Sequence, residues 1–381
     1  MHRVAVIIGT RPEGIKMAAV CRALQNAPDM EPVLVSTGQH REMLAQVLDV
    51  FGLEADVELD LMRGNQSLAG LTARLFESLD GMLEDVKPDM VLVQGDTTSV
   101  MCGAIASFYR GIPVGHVEAG LRTGDMSAPF PEEANRVLAS RVTSLHFAPT
   151  VGARDNLLQE RVAEDRIHVT GNTVIDSLFL EVDRQKTDDA LRSDIDARLG
   201  ELLPSEIVHG EHPYVLITGH RRENFGDGFE SICTALLALA RRFPDHGFVY
   251  PVHLNPNVRS IVHERLSDQQ NIHLLPPVDY RLFVALMSGS RLLLTDSGGV
   301  QEEAPSLGKP VLVMRETTER PEGIDAGTVR LVGTDAGLIE SEVARLLEDH
   351  AAYEAMAHLE NPYGDGKAAQ RIVDGVRGWF K

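Results

Sequence analysis

Positive charge is scarce in this chain of 381 residues: 36 Lys and Arg stand against 56 Asp and Glu, a formal net charge of −20. So acidic a surface argues against nucleic acid and anionic membrane as partners, because both need a basic face. An anionic ligand has to be held by a local cationic pocket instead. Cysteine is scarcer still. Cys21, Cys102 and Cys233 lie far apart, show no C-x-x-C spacing and each falls within an apolar helical pattern, which points to buried free thiols in a reducing, cytoplasmic compartment rather than to disulfides or metal ligands. No apolar run reaches membrane-spanning length, and the run Val4-Ala5-Val6-Ile7-Ile8 after Met1-His2-Arg3 is too short for a signal h-region, so a soluble protein is expected. Low-complexity tracts and short-period repeats are also missing, which removes solenoids and propellers.

What is present is an alternation. Aliphatic runs at Val4–Ile8, Pro32–Ser36, Met90–Gln94, Val114–Val117 and Leu145–Ala148 read as buried strands, and the stretches between them (Ile15–Leu24, Arg41–Phe51, Leu68–Leu83, Thr98–Phe108) repeat apolar residues at helical spacing. That is the pattern of an α/β, doubly wound parallel sheet. A second series runs through Tyr214–Thr218, Phe248–Val252, Ile272–Leu275, Leu292–Thr295 and Val311–Met314. The chain is long for one core, and the polar, strand-poor region between Arg184 and His212 separates the two series. Two Rossmann-like domains are therefore expected, residues 1–172 and 173–366, with the terminal helix, within 367–381, packing back on the first.

The turns after the strands carry the chemistry. Thr295-Asp296-Ser297-Gly298-Gly299 passes from strand through tight turn to helix. Its adjacent glycines, Ser297 hydroxyl and helix N-terminus make a cradle for phosphate or pyrophosphate, although S-G-G alone could be a simple cap. Gly9-Thr10-Arg11-Pro12-Glu13-Gly14-Ile15-Lys16 is a second such turn. It is neither a Walker A loop, since Ile15 and Met17 break that spacing, nor a G-x-G-x-x-G, so kinase-like and NAD-binding readings lose support. Arg11 and Lys16 are candidate cationic contacts. Asp96, Glu118 and Glu132 sit at or near successive strand ends. Any one of them could cap a helix, but three converging on one sheet edge point to proton transfer, because crowded carboxylates raise one another's proton affinity. His220 ends the first strand of the second series and His253 occupies a similar place. Neither belongs to a metal-ligand triad, so no catalytic metal is expected.

These stretches together resemble the non-hydrolysing UDP-N-acetylglucosamine 2-epimerases, a family similar in fold to the GT-B glycosyltransferases. The resemblance rests on G-T-R-P-E from Gly9, G-Q-H-R from Gly38, Q-G-D-T from Gln94, H-V-E-A-G-L-R-T-G from His116, P-E-E-A-N-R from Pro131, G-H-R-R-E-N from Gly219, H-L-N-P-N-V from His253, and T-D-S-G-G-V-Q-E-E-A from Thr295 with T-T-E-R-P-E ending at Glu322.

It implies a GT-B-like pair of domains facing across a cleft, a homodimer, a UDP-sugar substrate and no cofactor. It implies catalytic roles for Asp96, Glu118, Glu132 and His220. UDP contacts fall on Arg11, Ser297, Gly298, Gly299, Glu303 and Arg320, with Lys16 near the substrate and Phe283 beside the uracil. The implied reaction is epimerisation at carbon 2 of UDP-N-acetylglucosamine through a 2-acetamidoglucal, in service of cell-surface polysaccharide. A hydrolysing enzyme that releases N-acetylmannosamine and UDP, or an epimerase of a modified UDP-sugar, would use similar residues. A second, allosteric sugar-nucleotide site would fall on Gln39, His40 and Gln66, although Asn65 stands where family members commonly carry Arg.

Overall fold

The computed structural model describes residues 1–39, 41–61, 64 and 66–381. The chain divides into two compact units, Met1–Leu180 with Tyr363–Lys381, and Glu181–Pro362. The division falls inside one helix, Thr173–Thr187, whereas the sequence reading places it at 172.

The first unit is built on seven parallel strands, β1 (His2–Ile8), β2 (Met30–Ser36), β3 (Val57–Glu58), β4 (Met90–Gln94), β5 (Val114–Val117), β6 (Leu145–Ala148) and β7 (Ile167–Val169), in the order β3-β2-β1-β4-β5-β6-β7. Its centre is the pairing of Val4, Ala5 and Val6 with Met90, Val91 and Leu92. All six side chains are completely buried, as expected where helices cover both faces of a parallel sheet. Leu71, Leu75, Leu79 and Leu83 on the helix Leu68–Val86 recur at spacings of four and pack with Val100 and Ala104 of the helix Thr98–Tyr109 over Ala5, Val91 and Val93.

The terminal helix, Ala368–Trp379, belongs to this unit and packs on the helix Arg11–Gln25. Ile372, Val373 and Val376 are buried, Asp176 accepts the Ala369 N–H at 2.8 Å, and Arg377 forms a two-nitrogen pair with Asp29 at 2.7 and 2.9 Å.

The second unit has six parallel strands, β8 (Tyr214–Thr218), β9 (Gly247–Pro251), β10 (Ile272–Leu275), β11 (Leu292–Thr295), β12 (Val311–Val313) and β13 (Val329–Leu331), in the order β10-β9-β8-β11-β12-β13. Phe229, Ile232, Leu236 and Leu239 of the helix Asp227–Arg242 fill one face with Phe248, Tyr250 and Leu294. The polar stretch before β8 forms helices at Asp189–Gly200 and Ser205–Val208.

Three short strands, β3, β7 and β13, escape a sequence reading. They hold two or three residues at the sheet edges, and their burial mixes buried, half-buried and exposed positions, so none has the continuous apolar run that marks a central strand. In both sheets the order reverses once near the middle, between β1 and β4 and between β8 and β11. The crevice outside the strand ends at such a point is where open α/β sheets take ligands.

Candidate active site

At the switch point of the first unit, the turns after β1 and β4 are tied together by Glu13, a residue only 2% exposed. One carboxylate oxygen accepts the N–H groups of Gly9 and Thr10 and the Thr10 hydroxyl (3.1, 2.7 and 2.7 Å), and the other accepts the Thr97 hydroxyl at 2.8 Å. Burial pushes its proton affinity up, and these hydrogen bonds pull against that rise. Arg11 and Lys16 lie on the helix that opens here, Arg11–Gln25, and both are half-buried.

The sequence leaves open whether Asp96 caps the next helix. It does not: the helix Thr98–Tyr109 is capped by Thr97, whose hydroxyl accepts the Val100 N–H at 3.3 Å. Asp96 instead lies 3.1 Å from Arg136, and Arg136 lies 3.2 Å from the buried Glu133. The Asp96 backbone is held as well, its carbonyl by Asn135 at 2.9 Å and that of Gly95 by His116 at 2.7 Å. Gly95 has φ +81° and brings the turn past Glu118; a side chain there would be strained.

Glu118 itself has φ +62°, a left-handed conformation that costs a residue with a Cβ roughly 1–2 kcal/mol. The surroundings over-determine it. Lys16, Gln94 and Asn172 all donate hydrogen bonds to its carboxylate, the last at 3.1 Å. Glu132 opens the helix Glu132–Val142 and is half-buried.

The three acids share a field. Burial raises the Asp96 carboxyl above its ordinary range; Arg136 opposes the rise, Glu118 adds to it, Lys16 opposes it and Glu132 adds to it. A carboxyl whose proton affinity is raised in this way is better suited to take up and release a proton, as acid–base catalysis requires.

At the switch point of the second unit, Ser297, Gly298 and Gly299 follow β11, and a six-residue helix begins at Gly298. A Cβ built on Gly298 would lie 3.9 Å from Arg221 and 4.0 Å from Arg320, so two guanidinium groups flank backbone that carries no side chain. The Nε of Arg221 is buried and has no hydrogen-bond partner among the described residues. Arg320 is oriented by the buried Glu302. Gln301, fully buried, joins the loop after β12 to this turn: it accepts the Thr318 hydroxyl at 2.7 Å and donates to the Ser297 carbonyl at 3.2 Å. Glu303 is buried and accepts the Tyr280 hydroxyl at 2.9 Å. Phe283 is half-buried on the helix that Tyr280 begins.

Across the same switch point, His220 follows β8 with its Nδ1 3.0 Å from Asp296, and the His253 ring stacks on it at a centroid distance of 5.6 Å.

The structure thus brings Asp96, Glu118, Glu132 and Lys16 into one electrostatic group, and gathers Ser297 to Gly299, Glu303, Arg320 and His220 at the strand ends of the second unit. Gln39 lies 3.5 Å from the Ser99 hydroxyl, Gln66 accepts from Arg74, and His40 and Asn65 fall outside the described residues. Sequence reasoning misses Glu13, Arg136, Tyr280, Arg221 and Asp296 as parts of the site. Each is a charged or hydroxyl residue beside a turn and reads as a cap or a surface group. Only strand adjacency, such as Thr295 paired with Thr218, reveals what it faces.

The family model described as UDP-N-acetylglucosamine 2-epimerase matches residues 22–377. The UDP-N-acetylglucosamine 2-epimerase of Escherichia coli K12 is 52% identical over 375 residues, 98% of each chain, and that of Salmonella typhimurium LT2 is 52% identical over 377 residues, 99% of each. The crystal structure of UDP-GlcNAc 2-epimerase from Neisseria meningitidis bound to UDP-GlcNAc superposes with a TM-score of 0.89 at 47% identity, covering 99% of this chain and 100% of that one. With matches that run through both switch points and nearly the full length, and with two Rossmann-like units of the GT-B-like kind, the chain belongs to the UDP-N-acetylglucosamine 2-epimerase family.

Proposed function

We propose that the protein interconverts UDP-N-acetylglucosamine and UDP-N-acetylmannosamine without hydrolysis, and that a homodimer carries out the reaction in the cytoplasm. The observation that carries this reading is the group of three carboxylates around Asp96, its proton affinity raised by burial and by the neighbouring acids. A relative whose structure holds UDP-GlcNAc supports the substrate.

In the forward direction a base takes the proton from carbon 2, the electron pair forms the carbon 1–carbon 2 double bond, and the bond from carbon 1 to the diphosphate oxygen breaks. The products are UDP and 2-acetamidoglucal. UDP then adds back to carbon 1 while an acid delivers a proton to the opposite face of carbon 2. No electrons are gained or lost overall, so the chemistry calls for no nicotinamide. Two faces require two proton-handling groups, and Asp96, Glu118 and Glu132 take these roles as a coupled set. Arg320, Arg221 and the N–H groups at Ser297 to Gly299 stabilise the departing diphosphate, with Arg11 and Lys16 as further cations. In this reading Glu303 is a further UDP contact and Phe283 lies beside the uracil. Gln39, His40 and Gln66 form a second sugar-nucleotide site in this reading, and strictly hyperbolic kinetics in UDP-N-acetylglucosamine would count against that site.

The dimer reading is supported by an exposed aromatic pair, Phe108 and Tyr109, at the end of the helix Thr98–Tyr109. Aromatic side chains are the residue type enriched at the centres of protein interfaces. The family resemblance extends this reading to a role in cell-surface polysaccharide synthesis.

A proton NMR time course with UDP-N-acetylglucosamine in deuterated water tests the reaction. UDP-N-acetylmannosamine carrying deuterium at carbon 2 is the expected product. Free N-acetylmannosamine with UDP would replace the proposal by the hydrolysing reaction, and unchanged substrate would redirect the search to modified UDP-sugars.

A further inference from the structure

Asp296 is buried without solvent exposure at the end of β11. Its two oxygens have different tasks. One accepts the backbone N–H groups of His220 and Arg221, each at 2.8 Å, with the Asn224 amide at 3.5 Å. The other faces Nδ1 of the His220 ring at 3.0 Å. Among the described residues that oxygen makes no hydrogen bond of regular geometry, but an ionised carboxylate is acceptor-only, and a lone pair on Nδ1 facing it at this distance would be repelled, which favours a hydrogen on Nδ1. The two backbone bonds fix the carboxylate plane, and that plane fixes the ring. His253 stacks on the ring with planes 29° apart and limits its tilt. Asn224 in turn donates to the Met314 carbonyl at 3.0 Å, which anchors the turn to the strand end beyond.

We propose that Asp296 is a positioning residue that holds His220 as the Nδ1–H tautomer, so that Nε2 is the ring atom offered to the substrate. When the imidazole is protonated, the second proton sits on Nε2, and Nε2–H becomes a charged donor for the departing diphosphate. The contact is a hydrogen bond that forms as charge develops on the leaving oxygen; no proton has to be transferred, and the balance of the elimination is unchanged. This inference rests on the proposed function for the identity of the anion, but not for the tautomer.

The charged and titratable groups around the ring on its own unit are consistent with the assignment. Asp296 is the carboxylate that faces the ring. His253 and Arg221 are the neighbouring cationic or titratable groups, and Tyr250, whose hydroxyl reaches the Gly219 carbonyl at 3.4 Å, is neutral because burial holds its proton on. His253 itself is held below the ordinary histidine range by burial and by His220.

Ring-nitrogen NMR of 15N-histidine-labelled protein, with His220 assigned by its loss in His220→Gln, decides the tautomer without any change at Asp296. The expected result is a neutral His220 protonated at Nδ1. A neutral ring protonated at Nε2 overturns the proposal.

Asp296→Asn then tests the consequence. Asparagine keeps an oxygen for the two backbone N–H groups but turns a donor toward Nδ1, so the ring should swap tautomer, and kcat should fall by about 10²–10⁴-fold with a far smaller change in KM. Retention of kcat in Asp296→Asn while His220→Gln loses it also overturns the proposal. Should the unchanged protein fail to turn over any UDP-sugar, the proposed function falls, and the tautomer measurement still decides this inference. Should Asp296→Asn fail to fold, the unchanged protein alone decides it.

Discussion

Lys16, on the first helix of the chain, hydrogen-bonds Glu118, the residue after β5, and the two side chains are only 14% and 6% exposed. An ion pair this deep is weak evidence for stability in itself, but removing one partner strands a buried charge. Lys16→Met should destabilise the first unit by about 3 kcal/mol in urea unfolding and lower kcat roughly tenfold or more. The double variant Lys16→Met, Glu118→Gln should recover most of the stability and none of the activity. If the double variant is no more stable than the single, the pair is not what holds these side chains.

Asp96 leads to a prediction with opposite signs for stability and function. Its folded proton affinity is raised above the ordinary aspartate value of 3.8, so the stability it contributes is fully present below that value and is lost as pH rises through the folded value. Asp96→Asn removes this loss, while Arg136 keeps Glu133 as a partner. At neutral pH the variant should therefore unfold at higher denaturant than the parent, the difference shrinking toward pH 3 to 4, and its epimerase activity should fall by about 10²–10⁴-fold. Unfolding midpoints that run parallel for the two proteins across this range would refute the assignment.

Arg221 and Arg320 flank the side-chain-free backbone at Gly298. A hydrogen bond to a charged group contributes about 1.5–3 kcal/mol, so Arg320→Ala and Arg221→Ala should each weaken UDP binding by roughly 10- to 100-fold in isothermal titration calorimetry. Uridine, which lacks the phosphates, should bind both variants as it binds the parent.

Ile372 is completely buried on the terminal helix. Ile372→Ala should cost about 2–5 kcal/mol, and hydrogen exchange should show the loss in residues 1–180 while protection across 181–362 is kept, because the helix belongs to the first unit. Uniform loss of protection in both units would mean that the two unfold as one.

The central strands and the positions of the turns are legible in the residues because burial on both sides writes an unbroken aliphatic run: Val91, Leu92 and Val93, or Leu292, Leu293 and Leu294, cannot belong elsewhere. The turn at Ser297 to Gly299 is legible because two adjacent glycines directly after an aliphatic run mark a strand giving way to a tight turn. Three things are hidden. The edge strands β3, β7 and β13 are too short to carry a period. The cap of the helix Thr98–Tyr109 could be Asp96 or Thr97 by residue type, and geometry assigns it to Thr97. The left-handed backbone of Glu118 has no sequence signal at all, because glutamate is not a residue that favours it. Where a residue adopts a conformation against its own preference, only its neighbours in space, here Lys16, Gln94 and Asn172, account for it.

The first unit is assembled from both ends of the chain, residues 1–180 and 363–381, and the second from the continuous stretch between. During synthesis the second unit has all its residues as soon as Pro362 has emerged. The first has its seven strands early, yet Ile372, Val373 and Val376, which cover the helix Arg11–Gln25, emerge only after the whole second unit has been made. The unit that is begun first is therefore completed last, and a nascent chain stalled before Tyr363 carries the helix Arg11–Gln25 with an apolar face that nothing yet covers.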